Sequence, residues 1–131
     1  DRVVFLRALR DRQTIAAPAF EPRVDLFVMY SGADGRLIDA SRASGVQGLV
    51  IEGTGRGNVP PATLPAIQRA IDAGLPVLIA SRCAQGRVLD AYAYEGSGRD
   101  LRQRGAIFAG NLHGPKARLL LMLALGVTRD P

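Results

Sequence analysis

The sequence predicts an α/β fold in which a parallel sheet of about four strands is flanked by helices in three layers, as in a Rossmann-like domain. Apolar segments with strand character alternate about four times with helical segments, at spacings typical of βαβ units. Several strand segments are apolar at consecutive positions, which is typical of parallel strands covered on both faces. With 131 residues, 47% of them hydrophobic, the chain is sized for one domain with its own core.

The first two predicted units each contain one strand and one helix. In the first, a buried strand at residues 24–30 is followed by a turn at residues 32–35 and a short helix over residues 37–44. The second begins with the apolar run at residues 49–51. Its helix, within residues 60–74, has apolar side chains at i, i+3 and i+7, prolines only in its first turn and a glycine at its end.

The remaining elements follow the same order of strand and helix. Residues 76–81 predict a third buried strand, and an amphipathic segment at residues 99–104 precedes a short fourth strand at residues 106–109. The last predicted helix, at residues 116–125, is apolar nearly all round. We therefore expect this helix to be deeply packed.

Residues 1–22 differ from the rest of the chain. Residues 3–15 predict a short hairpin, which is too small to be stable by itself. Residues 16–22 lose all periodicity and contain two prolines, as an extended linker does. The sequence thus predicts a division between residues 1–22 and a globular domain at residues 23–131.

Charge and composition exclude several classes of protein. The 17 basic and 12 acidic residues leave a net charge of +5, but the arginines are dispersed and lack interleaved aromatic residues, so we expect no nucleic-acid partner. No run approaches the roughly 20 apolar residues of a membrane span, so we expect no membrane partner. A single cysteine, Cys83, excludes an internal disulfide and is compatible with a cytoplasmic protein.

A glycine-rich segment, Gly-Thr-Gly-Arg-Gly-Asn at residues 53–58, leaves the second strand at the carboxyl edge of the sheet. It is not a dinucleotide fingerprint, because the third glycine of that motif is replaced by Asn58 and no acidic residue ends the next strand. It is not a P-loop, because no lysine follows the glycines. We expect no cofactor and no metal. Two interpretations of Asn58 stay open, since it could cap the following helix or face a polar ligand.

Few other residues suggest catalysis. His113 lies in a turn flanked by glycine and proline, and Cys83 has the character of a small buried residue. Lys116, in the first turn of the last helix, is unfavourably placed for the helix dipole. We expect it to pair with a carboxylate or a carbonyl group across the fold.

Four segments together resemble the C-terminal domain of the L-asparaginase/glutaminase family: GLVIEGTGRGNVPP (48–61), PVLIASRCAQGRV (76–88), YEGSGRDLRQRGAIFAG (94–110) and GPKARLLLMLALG (114–126). They occur in the family's order and cover most of residues 24–126. The resemblance implies that residues 1–22 are the end of an N-terminal domain and the interdomain linker. The family's active threonines lie in motifs of the TGGTI and GTDT kind, and neither motif occurs here.

The resemblance implies a function for this chain as part of a longer enzyme. That enzyme would hydrolyse L-asparagine, or L-glutamine, as a homo-oligomer. Asn58 matches the family asparagine that reaches a neighbouring subunit's active site, and Glu95 is the candidate for a second substrate-binding residue. No catalytic residue is expected in this chain, which would be inactive alone. The alternative hypothesis is a free-standing module that binds a small amino acid.

Overall fold

The computed structural model describes residue 14 and residues 16–128. The four strands and four α-helices of this part alternate along the chain: β1 (Val24–Val28), α1 (Arg36–Ala43), β2 (Gly48–Gly53), α2 (Leu64–Asp72), β3 (Val77–Ser81), α3 (Gly98–Gln103), β4 (Ile107–Phe108) and α4 (Gly114–Leu125). A single 3-10 turn, Pro61–Thr63, leads into α2. The predicted hairpin falls on residues 3–15, of which the structure describes only residue 14.

The sheet is parallel throughout, with the strand order β1-β2-β3-β4, so the predicted α/β fold is confirmed. The register pairs Val28 with Glu52 and Gly53 with Ser81. The carboxyl ends of β1, β2 and β3 therefore meet at one edge. Because strand order follows chain order, the described sheet has no reversal point at which a crevice would open between diverging loops. Any site must instead be built by successive loops lying side by side.

The helices form two unequal layers around the sheet. On one face, Ile38 of α1, Ile67 of α2 and Leu101 of α3 pack against Leu49 and Ile79, in the larger apolar cluster. Alternate residues of the same strands point to the other face, as strand geometry requires. There Val50, Leu78 and Ala80 meet Ala117, Leu121 and Met122 of α4 in a smaller cluster. The result is a three-layer arrangement with α4 alone on its side of the described sheet.

The expectation that the last helix is deeply packed is wrong for the side that faces away from the sheet. The side chains of Leu119, Leu120 and Leu123 on α4 are 56%, 40% and 41% exposed, while Leu121 is only 6% exposed. A single helix lying on a sheet can bury only the stripe that faces the strands. No other described element covers the opposite side of α4, so its apolar residues there remain on the surface.

The start of α4 is held against the sheet by Glu52, a buried residue near the end of β2. Its Oε1 atom accepts a hydrogen bond of 2.6 Å from the backbone N–H of Gly114. This bond satisfies one of the N–H groups that every helix leaves unpaired at its N-terminus. A Cβ atom on Gly114 would lie 2.6 Å from the Glu52 side chain, so the close approach requires glycine.

Candidate functional site

The loops after β1, β2 and β3 enclose a cleft of about 390 Å³ at the carboxyl edge of the sheet. Its volume falls in the range of small-molecule sites. Polar and aromatic side chains dominate its wall, namely Tyr30, Ser31, Thr54, Asn58, Arg82 and Tyr94. The sequence predicted a ligand-facing loop at this edge, and the structure brings the glycine-rich segment into the cleft wall.

The glycine-rich segment forms a compact turn at residues 54–58, which we call the Gly-rich turn. Thr54 N donates to Asn58 O (2.8 Å) and Asn58 N donates to Thr54 O (2.9 Å), so the two residues close the turn as an antiparallel bridge. Gly57 N also donates to Thr54 O. The N–H groups of Asn58 and Gly57 are thus used inside the turn and are not offered to a ligand.

Asn58 does not cap the following helix. The cap position of the 3-10 turn is Pro60, and neither that turn nor α2 receives a side-chain hydrogen bond at its start. The capping interpretation is therefore wrong. The Asn58 Nδ2 atom instead donates to Thr54 O at 3.4 Å, beyond the usual range for such bonds. Its Oδ1 atom is buried and has no hydrogen-bond partner among the described residues.

Glu95 lies in the long loop after β3 and is exposed. It borders a neighbouring depression of about 310 Å³, which also includes Arg99, Asp100 and Arg104, and it does not line the cleft. Tyr94 borders both. A backbone hydrogen bond from Val59 N to Gly96 O (2.9 Å) joins the residues that follow Asn58 and Glu95. The structure therefore brings the two chain segments together but gives the two side chains separate surroundings.

The other residues considered as catalytic candidates from the sequence do not line the cleft. Cys83 is half-buried, and its N–H donates to Ser81 Oγ at 3.1 Å. His113 occupies the cap position of α4 without a side-chain cap bond. Lys116 is exposed and pairs with no described residue, so the predicted contact across the fold is wrong. Its position at the helix surface lets water solvate the ammonium group.

Sequence reasoning missed three residues that shape this edge. Arg82 and Tyr30 line the cleft, and both are exposed. Ser81 is buried, and its hydroxyl donates to Gly55 O at 2.6 Å. The apolar strand that ends in Ser81 signals burial only, since nothing in the pattern shows which loop the hydroxyl meets. Arg82 and Tyr30 follow strand ends, which is a usable signal for residues near an edge site.

Within the described part of the chain, no group of three or more His, Cys, Asp or Glu side chains could hold a metal ion. The described helices are also all too short or too polar to cross a membrane. The cleft itself is lined by neutral polar groups, tyrosines and an arginine.

Comparison with known proteins identifies the family. The chain is 34% identical over 130 residues to an L-asparaginase of Bacillus licheniformis, an alignment that covers 99% of this chain and 40% of that protein. It is 40% identical over 121 residues to a probable L-asparaginase of Deinococcus radiodurans, covering 91% of this chain and 36% of that one. It is also 40% identical over 113 residues to a glutamyl-tRNA(Gln) amidotransferase subunit of Methanosarcina mazei, covering 86% and 26%.

The chain thus spans between about a quarter and two fifths of the length of these relatives. Residues 23–131 match the Glutaminase/Asparaginase C-terminal domain family, and this match includes every described strand and helix. Together with the parallel four-stranded sheet, the match shows that the chain belongs to the glutaminase/asparaginase C-terminal domain family.

Proposed function

We propose that this chain is the C-terminal domain of an L-asparaginase, an enzyme that hydrolyses L-asparagine to L-aspartate and ammonia. In this proposal residues 1–22 are the end of the N-terminal domain and the linker, and residues 23–131 are the C-terminal domain. The family match over residues 23–131 supports this division. An L-asparaginase and a probable L-asparaginase, which the chain matches at 34% and 40% identity, support the reaction.

The observation that carries the proposal is the state of the Asn58 amide at the cleft. Its Oδ1 atom has no described donor, and its Nδ2 atom makes only a 3.4 Å bond within the turn. A buried acceptor without a donor costs about 1–3 kcal/mol. Rotation of the amide into the cleft would break one long bond and present both a donor and an acceptor to a ligand. An amino-acid substrate, with its ammonium and carboxylate groups, supplies partners for both.

Glu95 has a second role in the proposal, as the group that pairs with the substrate ammonium. A carboxylate and an ammonium form a charge-assisted hydrogen bond, which is stronger than a bond between neutral groups. The Val59–Gly96 backbone bond supports a joint role, because it ties the Glu95 segment to the Asn58 segment. A substrate that reaches both side chains would extend past Tyr94, which borders both the cleft and the neighbouring depression.

The bond-breaking groups lie outside this chain in the proposal. Hydrolysis needs a nucleophile at the amide carbon and then water to release the acid, with ammonia as the leaving group. By the family resemblance the nucleophile is a threonine of the N-terminal domain, and the TGGTI and GTDT motifs are absent here. Asn58 and Glu95 would reach the active site of a neighbouring subunit in a homo-oligomer. They would act by positioning the substrate, without a cofactor.

Replacement of Asn58 by alanine in the complete enzyme tests this proposal. We expect kcat/KM for L-asparagine to fall by roughly one to two orders of magnitude, the loss of one or two positioning hydrogen bonds. The matched control is Asn111→Ala, which removes the other asparagine of the chain, an exposed residue after β4. An Asn58→Ala enzyme that keeps the kcat/KM of the Asn111→Ala control would contradict the proposal.

A second candidate is a component of a tRNA-dependent amidotransferase. The match to the Methanosarcina mazei amidotransferase protein, at 40% identity, is as high as that to the Deinococcus radiodurans protein. Ammonia release from free L-asparagine by the complete protein alone supports the L-asparaginase. Release that requires glutamyl-tRNA(Gln) supports the amidotransferase.

The remaining alternative, a free-standing amino-acid-binding module, is tested on the 131-residue chain itself. Titration calorimetry with L-asparagine, L-aspartate and L-glutamine would detect binding without a catalytic partner. The L-asparaginase proposal expects no measurable heat at millimolar ligand, because half of the site is supplied by another domain.

A further inference from the structure

Ser81, the last residue of β3, links two loops at the carboxyl edge of the sheet. The residue is buried, and its hydroxyl donates to Gly55 O at 2.6 Å, in the middle of the Gly-rich turn. The same oxygen accepts a hydrogen bond from Cys83 N at 3.1 Å, in the loop after β3. Its donor and one of its acceptor sites are therefore both in use.

The Gly-rich turn is closed upon itself, so its orientation depends on bonds to its surroundings. The Thr54–Asn58 bridge fixes its internal shape only. Outside bonds come from Arg82 N to Gly53 O at its base and from Leu89 N to Arg56 O on its flank. Among the side-chain hydrogen bonds of the described residues, only that of Ser81 reaches residues 54–58 from outside the turn.

We propose that Ser81 is a positioning residue that fixes the angle of the Gly-rich turn and so holds Asn58 where its amide can rotate into the cleft. The inference rests on the function proposed above for Asn58. Ser81 is buried and does not line the cleft, so it would act through the turn. Displacement of a positioning group by about 1 Å can lower an enzymatic rate by as much as about a hundredfold. Loss of one of several bonds to the turn is expected to have a smaller effect.

The test uses four variants of the complete enzyme: Ser81→Ala, Asn58→Ala, their double variant and Ser41→Ala. Ser41→Ala is the matched control, because Ser41 of α1 is buried to the same degree and donates to the Asp25 carboxylate, away from the cleft. We expect Ser81→Ala to lower kcat/KM for L-asparagine about tenfold. Ser41→Ala should lower the melting temperature without changing kcat/KM. The double variant should be no less active than Asn58→Ala, because Ser81 acts only through Asn58.

The double variant separates positioning from general stability. Losses of kcat/KM that multiply in the double variant would mean that Ser81 acts independently of Asn58, and this result would overturn the inference. So would an unchanged kcat/KM in Ser81→Ala when Asn58→Ala is impaired, although the proposed function would then stand. If Asn58→Ala itself is fully active, the proposed role of Asn58 fails first, and the inference about Ser81 fails with it.

A second substitution, Ser81→Cys, keeps the inference testable if Ser81→Ala does not fold. Ser81→Cys keeps a side chain of similar size but replaces the hydroxyl with a weak S–H donor. We expect a loss of kcat/KM in the same direction with a native melting profile. Full activity of Ser81→Cys, with Asn58→Ala impaired, would also overturn the inference.

Discussion

Gly57 shows how one residue determines the shape of the candidate site. Its φ angle of 98° lies in the left-handed region, where residues other than glycine are strained. It is also closely packed, since a Cβ atom there would lie 2.7 Å from Val88 Cγ1 and 3.0 Å from Ile79 Cγ2. The backbone of the turn thus lies directly on the core and on the loop after β3. Gly57 was identified from sequence as a turn residue, but its packing depends on contacts across the fold.

We predict that Gly57→Ala destabilises the protein more than Gly86→Ala does. Gly86 has nearly the same φ angle, 97°, but a Cβ atom added there would meet no other atom within 4 Å. Both changes carry backbone strain of about 1–3 kcal/mol, and only Gly57→Ala adds an overpacking cost of about 1–3 kcal/mol. Urea unfolding of the two variants measures the difference. Equal free energies of unfolding would mean that Val88 moves away without cost.

The sequence predicted that Asn58 lies at the carboxyl edge of the sheet, where the structure has it, but it did not predict the contacts of the Asn58 side chain. A glycine-rich loop after a buried strand must emerge at the carboxyl edge, so its position followed from the pattern. The alternative interpretation, that Asn58 caps a helix, is wrong because Val59 and Pro60 separate Asn58 from the first helical residue, Pro61. The role of Ser81 could not be predicted, because the partner of a buried hydroxyl is set by the packing of two loops distant in sequence.

Sequence periodicity predicted the type and order of the strands and helices well, but it predicted their burial less well. All four strands and all four helices fall at the predicted places, with ends that shift by a few residues. β1 ends at Val28, two residues earlier than expected, because the chain turns where Ala33 N donates to Tyr30 O. The burial of α4 was overestimated, since an apolar composition does not show how many neighbours an element has.

Nearby leucines of α4 provide a direct test of its one-sided packing. Leu121→Ala should lower the free energy of unfolding by about 2–5 kcal/mol, because it empties a buried site beside Gly48. Leu119→Ala, in the same helix, should lower it by less than about 1 kcal/mol, because that side chain is 56% exposed. Urea unfolding at low protein concentration gives both values. A Leu119→Ala cost as large as that of Leu121→Ala would show that the outer face of α4 is covered in solution.

The molecule as a whole carries a positive net charge because its arginines outnumber its carboxylates. The net charge of +5 rises further as carboxylates are protonated, and self-repulsion then opposes the compact state. Several carboxylates are paired with arginine on the surface, and Asp39 of α1 is the clearest case. Arg69 of α2 donates two hydrogen bonds to it, at 3.1 and 2.6 Å, and so joins the two helices. These hydrogen bonds lower the pKa of Asp39 below its ordinary value.

The direction of this shift predicts how stability responds to acid. A carboxylate whose pKa is lower in the folded state stabilises the fold above its ordinary pKa of about 4, and this contribution is lost as pH falls through the folded pKa. Asp39→Asn should therefore lower the melting temperature at pH 7, by a small amount because the pair is on the surface. The difference in melting temperature between Asp39→Asn and the unsubstituted protein should disappear below about pH 3. Arg69→Gln, which removes the positive charge beside Asp39, should likewise lower the melting temperature at pH 7, and this difference should also disappear below about pH 3. A gap that stays constant from about pH 7 to about pH 2.5 would mean that Asp39 contributes through packing and not through its charge.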